Sequence, residues 1–341
     1  MTEQPPQPKT WSAWRWLWLP AIAVLVALVA AAAWLWMLRA DFQSPGPALE
    51  PEIVILEPGT SLGGAARLLA RQGVVADAWR FKTAALLFGG AKPILAGEYE
   101  VPARASAAAV LAILQSGQVV HHRFTLPEGS TVAETVARLR AEPLLRGEVA
   151  ATPPEGSLLP ETYYFVRHDQ RQALLTRMRT AMDQTLRAAW AQRAAGLPLE
   201  APEQALILAS IVERETALPE ERPRIAAVFI NRLQRGMRLQ SDPTVIYGIA
   251  GGKLDRPLSR TDLRTATPYN TYVIDGLPPG PIANPGRAAL HAVLNPIASD
   301  ELYFVADGTG GHVFARTHRE HLRNVAAWRR IEAQRRAQEE P

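Results

Sequence analysis

The sequence predicts an α+β protein in which one apolar N-terminal helix precedes a soluble part with long irregular loops. Three observations support this fold class. An uncharged run of 23 residues extends from Trp16 to Leu38. A strand–turn–helix pattern occurs twice, near residues 53–69 and 123–139. A buried helix around 203–216 is followed by a Gly/Pro-rich tract at 241–296, and such tracts are uncommon in ordered proteins unless they line a site.

Composition limits the classes of protein that fit. The chain has 341 residues, which is room for roughly two domains. It contains no cysteine, so disulfides, thiolate metal sites and a cysteine nucleophile are excluded. The net charge is only +4, and the arginines are dispersed along helical segments. Nucleic-acid binding normally needs a concentrated basic patch, so no nucleic-acid partner is predicted.

The uncharged run has the length and flanks of a transmembrane helix. As a helix it reaches about 34 Å, which is enough for a hydrocarbon core of about 30 Å. Tryptophans lie at both ends, as in the aromatic belts of membrane proteins: Trp14, Trp16, Trp18, Trp34 and Trp36. Pro20 falls near the first turn, where proline costs little.

Charges next to the run predict its orientation. The nearest ones are Lys9 and Arg15 before it, and Arg39 and Asp41 after it. Because positive charge favours the cytoplasmic side, we predict a cytoplasmic segment at 1–15, a transmembrane helix at 16–38 and an external soluble part. A cleaved signal peptide is the alternative, because small residues cluster at 30–33.

The soluble part begins with a Pro/Gly-rich linker at 39–52 and continues with the first strand–turn–helix pattern. Residues 53–56 are predicted to be a strand, followed by a turn and by leucines and alanines at helical spacing. The second occurrence starts at Arg123, and its helix has Thr131 as N-cap with Glu134 three residues later. The recurrence predicts a weak internal duplication of a small α+β unit, and two unrelated turns are the alternative.

Other periodic segments predict the remaining elements. In chain order, helices are expected at 78–88, 106–114, 171–194, 202–216, 224–235 and 287–294, with a strand at 97–101. A second region is predicted to begin near Thr152, after a Pro-rich turn.

The helix at 202–216 carries the strongest candidate for catalysis. Apolar residues surround it almost completely, so it should be buried. Glu213 and Glu215 lie at its C-terminal end, and residues two apart on a helix point about 200° apart, so both cannot face one cleft. Glu215 lies on the more apolar face, above Ile211 and Val212. Burial and the negative end of the helix dipole should raise its pKa and keep it protonated as a general acid.

The irregular tract supplies possible partners for such an acid. Asp242 lies in a turn, where it could cap the following helix. A short extended segment carries phenol and amide groups that suit sugar hydroxyls and N-acetyl groups: Tyr269, Asn270 and Tyr272. Asn284 lies in a stiff turn that suits a cleft wall. The alternative to a catalytic role is an ion pair of Glu215 with a neighbouring arginine: Arg214, Arg222 or Arg224.

Two other kinds of site fit the sequence poorly. His312, His318 and His321 could suggest a metal site, but the last two lie in an arginine-rich helical stretch without an acid at ligand spacing. A serine hydrolase is not supported, because Gly-x-Ser-x-Gly is absent. No metal and no cofactor are therefore predicted.

Several long segments occur in an order that is specific to one family. They are Leu208–Thr216, Val228–Leu233, Gln240–Gly248, Tyr269–Tyr272, Gly276–Gly286, Tyr303–Gly308 and Gly310–Phe314. In these segments the chain resembles the endolytic murein transglycosylase (YceG-like) family, most densely from about 155 to 325. In that family the second glutamate of a Glu-x-Glu-Thr motif is catalytic, which corresponds to Glu215. Glu161 departs from the family pattern, because aspartate is expected before Thr-Tyr.

The resemblance implies an enzyme. It implies a lytic transglycosylase that cleaves the β-1,4 bond between N-acetylmuramic acid and N-acetylglucosamine within nascent glycan strands, without water, and leaves 1,6-anhydro ends. Glu215 would act as general acid and then as base. A LysM-like α+β region at 53–150 and a mixed α/β catalytic domain at 151–330 are expected, followed by a charged tail at 331–341.

The resemblance also implies a location and partners. We expect a single-pass protein of the cell inner membrane with a periplasmic catalytic domain. Its partners would be peptidoglycan glycan strands, the bilayer and peptidoglycan synthases. The residues predicted to contact substrate are Glu161, Glu213, Asp242, Tyr269, Asn270, Tyr272 and Asn284. The alternative function is a non-catalytic, peptidoglycan-binding membrane anchor or scaffold.

Overall fold

The computed structural model describes residues 14–339 of the chain. They form two compact units, of which the first ends at Val120 and the second begins at His121. Most of the cytoplasmic segment predicted at 1–15, and the end of the tail predicted at 331–341, lie outside the described residues. Helices and strands both occur, so the prediction of a mixed helix and sheet protein is confirmed.

The first unit begins with an apolar helix, α1, at Trp14–Gln43. An 18-residue window of its segment Trp18–Gln43 has a mean hydropathy of 2.5, and the segment is long and apolar enough to cross a membrane. Side chains 18–37 are exposed, whereas Leu38 and Phe42 are buried in the core of the first unit. The helix therefore continues into the predicted linker at 39–52, because its last turns have apolar partners there.

The rest of the first unit is a two-stranded sheet covered by helices. Its elements are β1 Glu52–Leu56, α2 Leu62–Arg71, α3 Ala78–Phe88, β2 Gly97–Val101 and α4 Ala107–Ser116. The strands pair antiparallel with Val54 opposite Tyr99, and alternate residues face inward. These buried strand residues pack with Leu69, Phe81 and Leu114 from the helices. The predictions of a helix at 78–88 and a strand at 97–101 are confirmed.

The second unit is mainly helical. Its elements are β3 His122–Thr125, α5 Val132–Ala141, β4 Thr162–Phe165, α6 Arg171–Ala191, α7 Pro202–Glu215, α8 Arg222–Gln234, α9 Asp242–Ala250, a 3-10 helix at Asp262–Arg264, α10 Arg287–Leu294, β5 Tyr303–Ala306, β6 His312–Ala315 and α11 His318–Glu339. The pairs β3–β4 and β5–β6 are both antiparallel.

Helix α7 forms the centre of the second unit. It packs against α10, α8 and α6, and its residues from Leu208 to Val212 are fully buried. The prediction that this helix is buried is confirmed. Its central position holds the C-terminal end rigidly, which matters because Glu213 and Glu215 lie there.

The two strand–turn–helix patterns are real local structures. Each turn has a glycine with positive φ, +83° at Gly59 and +75° at Gly129, which only glycine adopts freely. Each helix has a hydroxyl N-cap, since Ser61 accepts from the N–H of Gly64 and Thr131 from that of Glu134. The turn and the first turn of the helix are thus formed in the same way in both patterns.

The two patterns nevertheless belong to different compact units. Strand β1 pairs with β2 inside the first unit, whereas β3 pairs with β4, on the C-terminal side of the boundary predicted at 150/151. This pairing joins residues from 121 onward to the second unit. The division at Val120 therefore differs from the predicted end of a single α+β region at residue 150.

Burial of Phe42 predicts that the apolar helix is part of the folded core of the first unit. Phe42→Ala should lower the unfolding free energy of this unit by about 3 kcal/mol, because a buried aromatic ring is lost. Hydrogen exchange at the amides of β1 and β2, measured on the full chain in detergent micelles, reports this loss.

Leu49→Ala is the matched control, because Leu49 is 75% exposed. It should change the unfolding free energy derived from the same exchange rates by less than about 0.5 kcal/mol. Equal effects of the two substitutions would contradict the packing of α1 into this core.

Candidate active site

Glu213 and Glu215 lie at the end of α7, and both line one cleft beside Arg222, contrary to the expectation from their spacing. The helix starts with Pro202 in its first turn, where proline fits, and ends at Glu215 because Thr216 is extended. Glu213 is 8% exposed, whereas Glu215 is partly buried. The sequence placed Glu215 on the more apolar face of the helix, and burial of its carboxyl is the largest influence on its pKa.

The Glu215 carboxylate is held by Ser241, whose hydroxyl donates a hydrogen bond to Oε1. Burial raises the pKa of Glu215 to about 7. The Ser241 hydrogen bond and the charge of Arg232 act to lower the pKa, while the negative charge of Asp242 adds to the rise. The predicted direction is therefore confirmed, and a large fraction of Glu215 is protonated at neutral pH.

Glu215 borders two clefts of about 340 Å³ each. The polar walls of the first, the Asp242 cleft, are formed by Arg232, Gln240, Asp242, Tyr272, His312 and His321. The walls of the second, the Arg222 cleft, include Glu128, Glu213, Arg214, Thr216 and Arg222. The Glu215 carboxyl is thus shared by the two clefts.

Asp242 and Tyr272 form a pair in the Asp242 cleft. The Tyr272 hydroxyl donates to Oδ1 of Asp242 at 2.7 Å. Burial, followed by the charge of Asp242, raises the pKa of Tyr272, so its phenol stays protonated. The structure thus brings two residues predicted as substrate contacts to the cleft that contains Glu215.

His312 is a polar group of the same cleft that the sequence considered only as a metal ligand. Its Nδ1 lies 2.7 Å from Oε2 of Glu221, and its backbone N–H donates to Oε1 at 2.7 Å. Thr216, directly after Glu215, donates its hydroxyl to the same Glu221 carboxylate. Burial acts to raise the pKa of Glu221, but the His312 contacts outweigh it and lower the pKa. A carboxylate thus orients the His312 ring beside the cleft.

The segment before α9 places Ser241 against Glu215. Gln240 has a positive φ of +51°, which is unfavourable for a non-glycine residue, and its exposed side chain borders the Asp242 cleft. The Ser241 N–H donates to the Thr271 hydroxyl at 2.9 Å, and Thr244 bonds to that same hydroxyl at 2.8 Å. Gln240 and Ser241 lay within the family-like segments, but spacing alone did not single them out.

Glu213 fastens three parts of the second unit together. Its Oε1 accepts from Arg222 at 2.8 Å, and its Oε2 accepts from the N–H of Gly286 at 2.8 Å. Arg222 also bonds to Glu128 at 3.0 Å. Burial raises the pKa of Glu213, while the Gly286 N–H and Arg222 oppose the rise. Glu213 borders the Arg222 cleft, but its side chain is only 3% exposed.

Asn270 and Asn284 were predicted to contact substrate, yet both are fully buried. The Asn270 amide donates to three backbone carbonyls between residues 262 and 265 and accepts the N–H of Tyr272. Asn284 accepts the N–H of Leu158 and donates to the Ser130 carbonyl. Both amides stabilise irregular backbone, so neither is available to a ligand.

Tyr269 and Glu161 also lie apart from the residues around Glu215. The Tyr269 ring packs edge-on against Tyr247, with ring centroids 4.8 Å apart, beside the main core of the second unit. Glu161 is half-exposed and lies 3.7 Å from Arg287. Neither residue borders the Asp242 cleft or the Arg222 cleft.

His318 and His321 lie at the start of α11, where they pack around Tyr303. Burial, followed by nearby positive charge, lowers the pKa of His321, which keeps this ring neutral. Within residues 14–339, no group of three or more His, Asp or Glu side chains is arranged to hold a metal ion.

A carboxyl with a pKa near neutrality borders two open clefts, which is an arrangement that suits acid–base chemistry. The YceG-like family model matches residues 54–327 of this chain. That is more than half of the sequence and includes all of the site described above. The chain therefore belongs to the YceG-like family.

Similar proteins carry a functional name. The relative from Bacillus subtilis (strain 168), named endolytic murein transglycosylase, is 47% identical over 116 residues, which are 34% of this chain and 32% of that protein. The relative of the same name from Streptococcus pneumoniae serotype 2 (strain D39 / NCTC 7466) is 36% identical over 216 residues, 61% of this chain and 36% of that protein. This chain thus spans about a third of the length of these curated relatives.

A solved structure of a putative YceG-like protein from Listeria monocytogenes is 30% identical to this chain. The matched region covers 81% of this chain and 99% of the Listeria chain, with a TM-score of 0.48.

The buried ion pair of Glu213 predicts a large structural effect. Arg222→Ala should lower the unfolding free energy by about 3–5 kcal/mol, because it leaves the Glu213 carboxylate buried without its cation. Thermal and denaturant unfolding of the full chain in detergent micelles measures the loss.

Arg316→Ala is the control for loss of an ion pair at the surface. Arg316 lies 2.9 Å from Asp300, and both side chains are more than 60% exposed. This control should cost no more than about 1 kcal/mol. Losses of similar size in both variants would contradict the role assigned to Glu213.

Proposed function

We propose that this chain is an endolytic peptidoglycan lytic transglycosylase with Glu215 as its catalytic acid and base. One observation carries the proposal: the Glu215 carboxyl, with a pKa of about 7, lies between two clefts that can hold a glycan strand on either side. The name of the curated relatives supports the same reaction and substrate class.

The proposed reaction breaks the β-1,4 bond between N-acetylmuramic acid and N-acetylglucosamine. Protonated Glu215 donates its proton to the glycosidic oxygen as the bond from that oxygen to C1 breaks. The C6 hydroxyl of the muramic acid attacks C1, and the Glu215 carboxylate takes the hydroxyl proton. The enzyme is regenerated, and the products are a free 4-hydroxyl and a 1,6-anhydro end.

This chemistry needs only one carboxyl for proton transfer. A glycoside hydrolase needs a second carboxylate to attack the sugar or to activate water. Here the C6 hydroxyl belongs to the substrate, so its attack gains the high effective concentration of an intramolecular reaction. The Tyr272 phenol and the His312 ring border the Asp242 cleft, where they can hydrogen-bond to sugar hydroxyls and N-acetyl groups.

The proposed setting of the reaction is the outer side of the cell inner membrane. The apolar segment Trp18–Gln43 supports a single-pass anchor, and Lys9 and Arg15 favour a cytoplasmic N-terminus. A LysM-like region within 53–150 would bind the same glycan strands. We propose peptidoglycan synthases as further partners, because both activities meet at nascent strands.

Loss of the acid tests the proposal. Glu215→Gln should reduce cleavage of purified glycan strands by about 10³-fold or more, because the amide cannot donate the proton. The full chain in detergent micelles is incubated with strands, and the products are identified by mass spectrometry. Glu203→Gln, an exposed glutamate in the first turn of α7, is the matched control and should cleave normally.

The product masses separate the competing functions. Ends with 1,6-anhydro-muramic acid, absent with Glu215→Gln, support the transglycosylase. Products heavier by one water would identify a hydrolase, for which Asp242, in the same cleft as Glu215, is the first candidate as second carboxylate. Retained glycan without new ends would support the non-catalytic anchor instead.

The pH dependence of cleavage tests the electrostatics around Glu215. Activity should fall as pH rises through about 7, because the acid must be protonated. Asp242→Asn removes a negative charge that raises the pKa of Glu215, so the falling limb should move to lower pH by up to about one unit. The asparagine oxygen can still accept the Tyr272 hydrogen bond, so the cleft keeps its shape.

Asp275→Asn serves as the control for this shift. Asp275 pairs with Arg238 and is 79% exposed, and it does not border the clefts at Glu215. Its pH profile should match that of the wild type. If activity of Asp242→Asn falls at the same pH as that of the wild type, the charge of Asp242 does not raise the pKa of Glu215.

A further inference from the structure

Helix α3 in the first unit has an apolar outer face that the fold leaves uncovered. Trp79, Leu86 and Leu87 are 60%, 67% and 52% exposed, although each is large and apolar. They are seven and eight residues apart, so they share one side of the helix. The opposite side faces the core through Phe81, Ala84 and Ala85. The helix is therefore apolar on two sides. Packing within the first unit accounts for the inner side only.

Contacts with α1 fix where this outer face lies. In the first turn of α3, the Trp79 ring is 6.2 Å from the Trp34 ring, and Arg80 lies 3.5 Å from Asp41. At the last turn, the Phe88 ring is 6.3 Å from the Phe42 ring.

Both ends of α3 thus meet the same short stretch of α1, residues 34–42. This stretch is where the uncharged run ends and charged residues begin, and Trp36 within it is 72% exposed. A transmembrane helix crosses from hydrocarbon to headgroups at such a point. Helix α3 is therefore held at the depth of the membrane interface.

The charges beside the outer face fit the same surroundings. Arg80 and Lys82 are exposed next to Trp79, and basic residues beside tryptophan and leucine are typical of helices that lie in the interface of a bilayer. The rings of Trp34 and Trp79 contact each other, and Trp36 borders the same surface cavity. Indole rings favour the headgroup level.

We propose that the outer face of α3 rests in the interface of the bilayer that α1 crosses, so that the first unit is seated on the membrane instead of being tethered above it. This proposal rests on the proposed membrane anchor but not on the proposed catalysis. The occupant of the face is lipid. The firm packing of Leu38 and Phe42 in the core makes α1 and α3 one rigid element.

The absence of cysteine from the sequence allows a direct test with single labels. Cysteines are introduced one at a time at Trp79, Leu86 and Leu87 in the full chain and labelled with an environment-sensitive fluorophore. The protein is reconstituted into phosphatidylcholine vesicles that contain phosphatidylcholine spin-labelled near the headgroup. Quenching at these three positions should exceed that at Glu100, an exposed residue of β2, by about threefold or more.

A label at Val24, in the middle of the apolar run, separates the two ways in which the proposal can fail. If lipid spin-labelled deep in the acyl chain quenches Val24 while Leu86 and Leu87 behave like Glu100, α1 spans the membrane but α3 does not touch it. If Val24 is not quenched either, the anchor itself fails.

The ratio of protein to lipid identifies a protein occupant of the face. If quenching at Leu86 and Leu87 rises on dilution of the protein in lipid, a second copy covers the face at higher density, and the proposal is overturned. Quenching that is strong and independent of dilution supports seating on lipid. Cleavage of glycan by the same labelled proteins shows independently that the second unit is intact.

Discussion

The buried ion pair between Glu213 and Arg222 fixes the end of α7, and the rest of the candidate site depends on it. Glu213 joins α7 to α8 through Arg222 and to the start of α10 through the N–H of Gly286. Residues two apart on a helix point about 200° apart. Anchoring Glu213 on Arg222 therefore leaves Glu215 to turn toward Ser241. The Glu213 carboxylate would be costly to bury alone, and its ion pair also fixes the orientation of Glu215.

Sequence reasoning identified local elements well, but it did not reveal the partners that surround the two glutamates. The spacing of apolar residues along α7 indicated that Glu215 lies on the more apolar face. The structure shows what surrounds each glutamate: Arg222 and Gly286 reach Glu213 from other elements, and Ser241 reaches Glu215. Glu215 still has a raised pKa, since burial of its carboxyl outweighs the hydrogen bond from Ser241. A helix pattern can predict that a residue is enclosed, but not what encloses it.

The polar residues of the irregular tract illustrate the same limit. Asn270 and Asn284 looked suitable for sugar contacts, yet their amides satisfy backbone groups that irregular loops leave without partners. Asp242 and Tyr272 do reach the cleft. His312 arrives from the β5–β6 hairpin, which is distant in sequence, so its pairing with Glu221 could not be read from spacing. The division between the compact units lies at Val120 and not at residue 150, because β3 pairs with β4 of the second unit. Sequence spacing does not reveal this pairing.

The pKa of Glu215 results from opposing effects that the site keeps in balance. Burial raises it, and the charge of Asp242 adds to the rise, while Ser241 and Arg232 lower it. A group that first gives and then takes a proton works best when its pKa lies near the working pH, since a much stronger acid would be ionised and a much weaker one would release its proton poorly. A fully solvated carboxyl would have a pKa of about 4.3, and burial raises the pKa of Glu215 above that value. The hydroxyl of Ser241 therefore does more than hold the carboxylate in place: it limits the effect of burial and leaves Glu215 able to perform both proton transfers.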